Sequence, residues 1–447
     1  MNLPTEYVNR IKEIMEEKFS LYIDSFKQTP KKGIRVNISK IDKNRLAEFF
    51  NINKKVPFCK NGFYVDNNVS GNNPLHHAGA FYFQEPSAMS AVTALNPCVG
   101  ERVLDMCAAP GGKTTQIADL VGEDGIVWSN EYIFKRTQIL ISNIERLGFR
   151  NTIVSSVDTA LLAQKLPQFF DKVLVDAPCS GEGMMRKEPE AISNWSVGNI
   201  NMCADRQQKI LNNAAVCLKE GGTLCYSTCT FAPEENEMTI AHFLKNHPEF
   251  SLQKIEAEFG EPAKVKYAPD IENIEYCRRI FPWNGGEGHF VALMKKDGNG
   301  LIPKFKEKSV LNDITKIFFK FYNENFETDN TEIIFNIENK VYIKPNIPSY
   351  RDLGIVRMGV YCGEVVKNRF EPSHALFSAF GKKAKNVINF SLEDHNLYKF
   401  LHGEEIDCDN TLKGFTSVLV EGIPLGFGKA SSGRLKNRYP KGLRILK

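Results

Sequence analysis

The stretch VLDMCAAPGGKTTQIADL, residues 103–120, joins an apolar run to a helical pattern through a turn that contains Gly111 and Gly112. Backbone N–H groups at such a turn, and at the start of the helix that follows, form a site for an anionic group. Glycine also lets the backbone approach a ligand closely. The stretch predicts a ligand-binding strand–turn–helix, although a tight turn without a ligand has the same pattern.

Outward from this stretch, from about residue 81 to residue 298, short apolar runs alternate with helical patterns. The strand candidates are residues 102–104, 125–129, 152–154, 172–175, 223–226 and 290–294, and the main helix candidates are residues 114–120, 135–147 and 205–218. Such alternation indicates βαβ units, and the short apolar runs are typical of strands covered on both faces. We therefore expect an α/β fold with a parallel sheet between two layers of helices.

The two flanks differ from this region. Residues 1–80 combine a helical pattern over 6–28, a strand at GIRVNISK (33–40) and a short helix over 43–50, which predicts a small α+β unit. From about residue 299 the alternation stops, and a predicted helix over 310–322 is followed by strand-like stretches with glycine and proline between them.

Composition excludes several classes of protein. The 447 residues are 42% hydrophobic and 25% charged, unlike a disordered, collagenous or disulfide-stapled chain. No apolar window approaches the ~18 residues of a membrane span, and the charged N-terminus does not resemble a signal peptide. We expect a cytoplasmic protein whose 11 cysteines are reduced. The chain has no CxxC pair, so no metal site is predicted.

The charge is unevenly distributed. From residue 300 onward there are 23 basic and 17 acidic residues, whereas the first 299 residues carry 34 basic and 36 acidic ones. The end of the chain is basic and has scattered apolar positions, which suits RNA phosphate contacts on a folded edge; its basic residues are Lys429, Arg434, Lys436, Arg438, Lys441, Arg444 and Lys447. A frayed, solvated terminus is the alternative. Deletion from about residue 300 is expected to weaken RNA binding and to spare cofactor binding.

Three acidic residues follow successive predicted strands. Glu131 lies 19 residues beyond Gly112, and Asp158 and Asp176 follow the third and fourth strands. Carboxyl ends of parallel strands meet at one crevice, where an acid commonly binds ribose hydroxyls. Each acid alone is more often a helix cap. Because GxGxxG is absent, the pattern favours a single nucleoside with a charged tail, and S-adenosylmethionine fits.

A phosphate loop is the main alternative interpretation. The motif GxxxxGK[ST] would need glycine at position 107, ahead of Gly112, Lys113 and Thr114, but residue 107 is Cys107. A P-loop NTPase therefore remains the second hypothesis. It predicts magnesium-dependent ATP binding, whereas the first hypothesis predicts binding of S-adenosylmethionine.

Two cysteines follow the fourth and fifth strands, Cys179 in DAPCSGEGMMRK and Cys229 in YSTCTFAPEENE. Carbon C5 of a pyrimidine is a poor nucleophile. A thiolate that adds to C6 makes C5 nucleophilic, so that one difficult step becomes two easier ones. Asp176 is positioned to hydrogen-bond the cytosine ring and to offset charge during the addition. The target base must be unpaired or flipped out, because a thiol cannot reach it inside a duplex.

These motifs resemble the RNA 5-methylcytosine methyltransferases of the Nol/Nop/Sun family, and in particular its bacterial RsmF type, which acts on small-subunit ribosomal RNA. The matching stretches cover most of the chain: RVNISK, FYFQEPSAMSAV, LDMCAAPGGKTTQIA, DAPCSGEGMMRK, YSTCTFAPEENE, RRIFPWNGGEGHFVALM and LKNRYPKGLR. The resemblance implies a Rossmann-like methyltransferase over residues 81–298, an accessory RNA-binding unit over 1–80, an RsmF-type extension over 299–385 and a PUA-like RNA-binding module over 386–447.

The resemblance also implies roles for single residues. Cys229 is expected to be the nucleophile, Cys179 to help release the methylated RNA, and Lys113 to reach the target base. The expected S-adenosylmethionine site consists of Cys107, Ala108, Ala109, Pro110, Gly111, Gly112, Lys113, Glu131, Arg136, Asp158 and Asp176. We expect a monomer that acts on ribosomal RNA or on the small ribosomal subunit. A transfer-RNA methyltransferase and a non-catalytic ribosome-assembly factor remain open alternatives.

Overall fold

The N-terminal unit is a small α+β layer, as the sequence predicts. The computed structural model describes residues 3–52, 54–328, 331–348 and 352–445. The unit has an antiparallel sheet in the order β2–β1–β3. Its elements are α1 Thr5–Met15, α2 Phe19–Ser25, β1 Gly33–Val36, α3 Lys43–Ala47, β2 Gly62–Tyr64, α4 Pro74–His77 and β3 Phe81–Phe83. The predicted helix over 6–28 is divided because Glu16 takes a positive φ of 54°.

The central region holds most of the strands of one large sheet. Its helices are α5 Ser90–Leu95, α6 Gly112–Val121, α7 Phe134–Leu147, α8 Thr159–Lys165, α9 Pro189–Ser193, α10 Val197–Cys217 and α11 Glu237–Asn246. Its strands are β4 Arg102–Asp105, β5 Ile126–Asn130, β6 Thr152–Ser155, β7 Phe170–Asp176, β8 Leu218–Thr228, β9 Phe250–Leu252, β10 Glu261–Pro262, β11 Arg278–Ile280 and β12 His289–Lys296.

The sheet is mixed rather than wholly parallel. Strands β8, β7, β4, β5 and β6 lie side by side and are parallel, as the alternating sequence pattern predicts. The prediction is wrong for residues 290–294, because β11 and β12 form an antiparallel pair and β12 then runs against β8. Alternate residues of each parallel strand point to opposite faces. Leu104 packs in one apolar cluster and Val103 in another, so both faces of the sheet are covered.

The C-terminal region contains two further sheets, in the orders β13–β14–β16–β17 and β18–β20–β21–β22–β19. Its helices are α12 Asp313–Asn325, α13 His374–Phe380 and α14 His395–His402. Its strands are β13 Ile333–Ile337, β14 Lys340–Lys344, β15 Ile355–Met358, β16 Val360–Val366, β17 Arg369–Pro372, β18 Val387–Phe390, β19 Ile406–Asp407, β20 Gly414–Val420, β21 Ile423–Ser431 and β22 Arg434–Asn437. The basic terminus forms a folded edge, because β22 pairs with β21 and Tyr439 is buried; Lys447 lies outside the described residues.

The C-terminal region is integrated with the rest of the molecule. Strand β15 pairs with β6 and thereby extends the large sheet. One apolar cluster joins Ile34 and Phe81 of the N-terminal unit to Phe400 and Tyr439 near the end of the chain. Deletion from residue 300 would therefore remove an edge strand of the large sheet and uncover this cluster, and the expectation that it spares cofactor binding stays a prediction. Within the described ranges no helix is long and apolar enough to cross a membrane.

Candidate active site

The glycine turn between β4 and α6 is held by backbone contacts with the neighbouring strands. Ala108 donates its N–H to the carbonyl of Asn130 at 2.8 Å, and Met106 donates to the carbonyl of Leu174 at 3.0 Å. Gly111 has a φ of 108°, which favours glycine, and a Cβ there would lie 3.0 Å from Leu140. The turn is therefore a fixed part of the sheet edge, and helix α6 begins there with no side-chain cap.

A buried arginine from the N-terminal unit supports the same turn. Arg35 lies on β1 and is only 4% exposed. Its guanidinium donates to the carbonyl of Gly112 at 2.5 Å, to Thr115 Oγ1 at 2.7 Å and to Gln84 Oε1 at 2.6 Å. The predicted cofactor turn is thus positioned partly by a residue outside the large sheet, which the sequence patterns did not single out.

The predicted acids occupy different environments. Glu131 is buried just after β5, where its carboxylate accepts the N–H of Ile133 at 2.9 Å and pairs with Arg136 at 3.2 Å. Arg136 also donates to the carbonyl of Ala109 at 3.0 Å and so links Glu131 to the glycine turn. Asp158 is exposed and caps α8 by accepting the N–H of Ala160 at 2.8 Å.

A fourth acid, Asp105, was missed by the sequence analysis. It is the last residue of β4 and has no exposed surface. Thr114 Oγ1 donates to Asp105 Oδ2 at 2.6 Å, while Oδ1 has no hydrogen-bond partner among the described residues. Burial raises the pKa of Asp105 to about 7. The signal was present, because Asp105 ends the strand that carries the glycine turn.

Asp176 lies at the end of β7 and forms an ion pair with the lysine of the glycine turn. Lys113 Nζ lies 2.7 Å from Asp176 Oδ2, and Ser227 Oγ donates to Asp176 Oδ1 at 2.8 Å. Burial opposes ionisation of Asp176, but Lys113 outweighs it and lowers the pKa of the carboxyl. Burial likewise opposes a charged Lys113, yet Asp176 raises the pKa of the ammonium. Both groups are therefore charged at neutral pH.

A buried histidine completes this group, and the sequence analysis did not find it. His289 Nε2 lies 3.8 Å from Asp176 Oδ1, and neither ring nitrogen has a hydrogen-bond partner in the described part of the chain. Burial and the charge of Lys113 lower the pKa of His289 to about 3, so its ring is neutral. It reaches the site from β12, the strand whose direction the sequence did not predict.

The two predicted cysteines lie side by side. Cys179 Sγ and Cys229 Sγ are 3.3 Å apart, and Cys229 donates its backbone N–H to Cys179 Sγ at 3.4 Å. Both side chains are half-buried in the loops that follow β7 and β8. The hydrogen bond with Cys229 and burial raise the pKa of the Cys179 thiol well above its ordinary value. Cys179 therefore carries its proton at neutral pH.

Buried carboxylates hold the two cysteine loops. Glu235 accepts the backbone N–H of Ser180 at 3.0 Å and the Nε2 of Gln207 at 2.8 Å. Ser180 Oγ also donates to Glu235 and lies 2.8 Å from Thr230 Oγ1, so the loop of Cys179 is tied to that of Cys229. Glu182 accepts the indole N–H of Trp195 at 2.8 Å and the N–H of Phe231 at 3.1 Å. Glu235 and Glu182 therefore hold the two cysteine loops in place.

The site offers the groups that a cationic nucleoside and a nucleobase require. Helix α6 begins at the turn without a side-chain cap, so its first backbone N–H groups have no intrahelical acceptor, and Asp105 and Glu131 supply carboxylates beside the turn. The Asp176–Lys113 pair presents an acceptor and a donor at the strand ends that lead into the cysteine loops, because Asp176 pairs with Ser227, two residues before Cys229. No group of three or more His, Cys, Asp or Glu suited to a metal occurs in the described ranges.

Family models match four successive parts of the chain. Residues 3–86 match the N-terminal domain of 16S rRNA methyltransferase RsmF, and residues 92–295 match 16S rRNA methyltransferase RsmB/F. Residues 319–380 match the first C-terminal domain of RsmF rRNA methyltransferase, and residues 387–445 match the methyltransferase RsmF PUA domain.

Whole-chain relatives agree with these models. Ribosomal RNA small subunit methyltransferase F of Vibrio campbellii is 32% identical over 99% of this chain and 97% of its own. The Vibrio vulnificus protein of the same name is 33% identical with the same coverage. Among solved structures, a methyltransferase homologue from Pyrococcus horikoshii is 31% identical, has a TM-score of 0.59 and aligns over 66% of this chain and 95% of its own.

Proposed function

The chain belongs to the RsmB/F family of 16S rRNA methyltransferases, and on this premise we propose that it transfers a methyl group from S-adenosylmethionine to C5 of a cytosine in 16S ribosomal RNA. The pair of thiols 3.3 Å apart beside the Asp176–Lys113 ion pair is the observation that carries this proposal. Methyl transfer to oxygen or to an exocyclic nitrogen needs no thiol. Methylation at C5 of a pyrimidine does, because that carbon must first be activated.

Cys229 is the proposed nucleophile. Cys179 keeps its proton, accepts the backbone N–H of Cys229 and can donate its own S–H to the neighbouring sulfur. Cys229 Sγ, after losing its proton, would form a bond to C6 of cytosine, and C5 would then take the methyl group and leave S-adenosylhomocysteine. A base then removes the C5 proton and the sulfur–C6 bond breaks, so that Cys229 leaves as a thiolate that the protonated Cys179 can reprotonate. We assign Cys179 to this release step, because its sulfur is the group next to the breaking bond.

Asp176 and Lys113 would hold the target base. Asp176 is charged and shares its two oxygens between Lys113 and Ser227. The exocyclic amine of cytosine would donate to this carboxylate. The Lys113 ammonium, which is the donor of the pair, would donate to the ring nitrogen and so offset the charge that develops during thiolate addition. The neutral ring of His289 borders the same carboxylate at 3.8 Å.

The cofactor site that we propose is formed by the glycine turn and the residues beside it. S-adenosylmethionine, when bound, supplies the electrophilic methyl group. The turn from Cys107 to Lys113 would face its charged tail, and Glu131 would accept ribose hydroxyls. Arg136 orients Glu131, and Asp158 lies further out at the start of α8. The residues fit the group, because Asp105 offers a buried carboxylate oxygen that has no hydrogen-bond partner within the described ranges.

The test is a methyl-transfer reaction with the full chain. The protein is incubated with methyl-labelled S-adenosylmethionine and a 16S rRNA transcript, and the RNA is digested to nucleosides. We expect the label in 5-methylcytidine. A label in any other nucleoside, or none with either naked RNA or the 30S subunit, contradicts the proposal. A transfer-RNA transcript in a parallel reaction decides between the two RNA substrates.

The P-loop alternative has lost its support. The chain belongs to a methyltransferase family, and Lys113 donates to Asp176 at the sheet edge rather than into the turn. Titration calorimetry with S-adenosylmethionine and with MgATP separates the two ligands directly. We expect binding of the first and none of the second.

A further inference from the structure

A charged groove lies on the N-terminal unit. It is lined by residues 29–32, Lys54 and residues 64–67 and encloses about 260 Å³; we call it the Tyr64 groove. Two ammonium groups lie close to the half-buried ring of Tyr64. Lys31 Nζ is 5.5 Å and Lys54 Nζ is 5.7 Å from the centre of that ring. Two cations therefore converge on one aromatic side chain.

These two cations lack acidic partners. Among the described residues neither Lys31 nor Lys54 forms an ion pair with a carboxylate, whereas Lys113, Arg136 and Arg186 each do. Asp66 lines the groove but is exposed and unpaired there. Burial lowers the pKa of Lys31, the charges of Lys54 and Arg186 lower it further, and Glu287 opposes them in part. A bound anion would relieve the repulsion between these positive charges.

The groove is joined to the active site by a short segment. The hydroxyl of Tyr64 donates to the carbonyl of Gly285 at 2.6 Å. Four residues later in the chain, His289 lies 3.8 Å from Asp176. Between them, Glu287 pairs at 2.9 Å with Arg186, which follows the loop of Cys179. The segment 285–289 therefore runs from the tyrosine of the groove to the carboxylate of the active site.

We propose that the Tyr64 groove binds the phosphate backbone of the substrate RNA beside the target nucleotide. This inference depends on the proposed function in one respect, namely that the ligand is the RNA that receives the methyl group. Lysine ammonium groups bind phosphates as point charges and release condensed counterions. Contacts of this kind position a strand without reading its sequence. The N-terminal unit would thus hold the strand while the large sheet takes the flipped base.

The test removes the two charges with little change in side-chain length. The double variant Lys31→Gln/Lys54→Gln is made in the full chain, and binding of a 16S rRNA transcript is measured by fluorescence anisotropy over a range of salt concentrations. We expect affinity to fall about tenfold at low salt. The slope of log affinity against log salt should fall by about 1.5, since each phosphate contact contributes about 0.7 to 0.9. Affinity for S-adenosylmethionine should not change.

A matched control carries the same change in net charge elsewhere. Lys245 and Lys316 are exposed and pair with Asp270 and Asp313, so Lys245→Gln/Lys316→Gln should bind RNA like the unmodified protein. Lys31→Arg/Lys54→Arg should retain binding. Equal losses in the two glutamine variants, or no loss in either, would overturn the inference. Failure of the unmodified protein to methylate RNA would instead contradict the proposed function, because the affinity measurement needs no turnover.

Discussion

The glycine turn and the two cysteine loops, which we call the cofactor half and the cysteine half of the crevice, are built in different ways. Backbone hydrogen bonds from β5 and β7 hold the glycine turn, and Arg35 supports it from another unit of the fold. The cysteine loops are held by side chains, chiefly by the buried Glu235 and Glu182. Removal of a carboxylate that holds a cysteine loop breaks several hydrogen bonds at once, whereas the backbone hydrogen bonds of the glycine turn do not depend on the side chains of the residues that make them. Substitutions in the two halves should therefore separate cofactor binding from chemistry.

The largest expected effect is at the proposed nucleophile. Cys229→Ala should lower the rate of methyl transfer by at least about 1,000-fold, because no other group activates C5. Affinity for S-adenosylmethionine should stay within about twofold of normal, since the sulfur belongs to the other half. Label transfer and calorimetry on the same preparation measure both. A Cys229→Ala protein that methylates RNA at the normal rate would show that the nucleophile has been assigned wrongly.

The neighbouring thiol should give a different signature. Cys179→Ala leaves the attack on C6 intact but removes the group that we assign to release, so a covalent protein–RNA adduct should accumulate. Denaturing gel electrophoresis after incubation with RNA and S-adenosylmethionine detects it as a slowly migrating band. Cys203→Ala serves as the control, because this buried thiol lies on α10. Equal amounts of adduct in the two variants would remove Cys179 from the release step.

A smaller effect is expected where the cysteine loops are anchored. Burial raises the pKa of Glu235 to about 7. Its contribution to stability is therefore complete below about pH 4.5 and is lost as pH rises through about 7. Over that window the free energy of unfolding should fall by up to about 3 kcal/mol through this group. Urea unfolding at several pH values measures the slope, which Glu235→Gln should reduce.

In Glu235→Gln the pH dependence of the free energy of unfolding should be reduced but not abolished. Asp105 and Glu287 also have pKa values raised to about 7, so they keep part of the pH dependence in the variant. Affinity for S-adenosylmethionine should be nearly unchanged. An identical pH slope with and without Glu235 would mean that its carboxyl does not titrate in this window.

The smallest effect is expected at the outer acid of the cofactor half. Asp158→Asn preserves the cap of α8, because asparagine caps helices as well as aspartate does. Any loss of affinity for S-adenosylmethionine in this variant is then caused by the lost charge alone. We expect the affinity to fall by no more than about threefold. Asp158→Ala removes cap and charge together and should lower stability by about 1 kcal/mol. A loss above about tenfold in Asp158→Asn would place this acid in direct contact with the cofactor.

Local sequence patterns predicted the parallel core and the strand ends at which the candidate site residues lie. Apolar runs located β4 to β8, Asp176 is the last residue of β7, and Cys179 lies in the loop that follows it. These positions can be predicted because the chain direction in a βαβ unit is fixed, so the residues that follow each parallel strand lie at the same edge of the sheet. Cys229 was found for the same reason. The proposed roles of these residues stay predictions.

What was missed depends on contacts between distant parts of the chain. His289 enters the site from an antiparallel strand, and local periodicity does not reveal strand direction. Arg35 acts on a turn 77 residues away, and β15 completes a sheet that begins 250 residues earlier in the chain. Glu235 belongs to the motif YSTCTFAPEENE, but its hydrogen bond with Ser180 joins residues that are 55 positions apart in the chain. The unit boundaries at 80, 298 and 385 likewise remain predictions.

The apolar cluster that joins the two ends of the chain has a consequence for synthesis. Ile34 and Phe81 leave the ribosome early. Phe400 and Tyr439, which pack in the same cluster, emerge near the end of synthesis. Domains generally begin to fold as they emerge, N-terminal ones first. Here the first unit keeps an apolar surface uncovered while more than 300 further residues are made. Nascent chains should therefore depend on chaperones, and chains that stop before β22 should be degraded or aggregate.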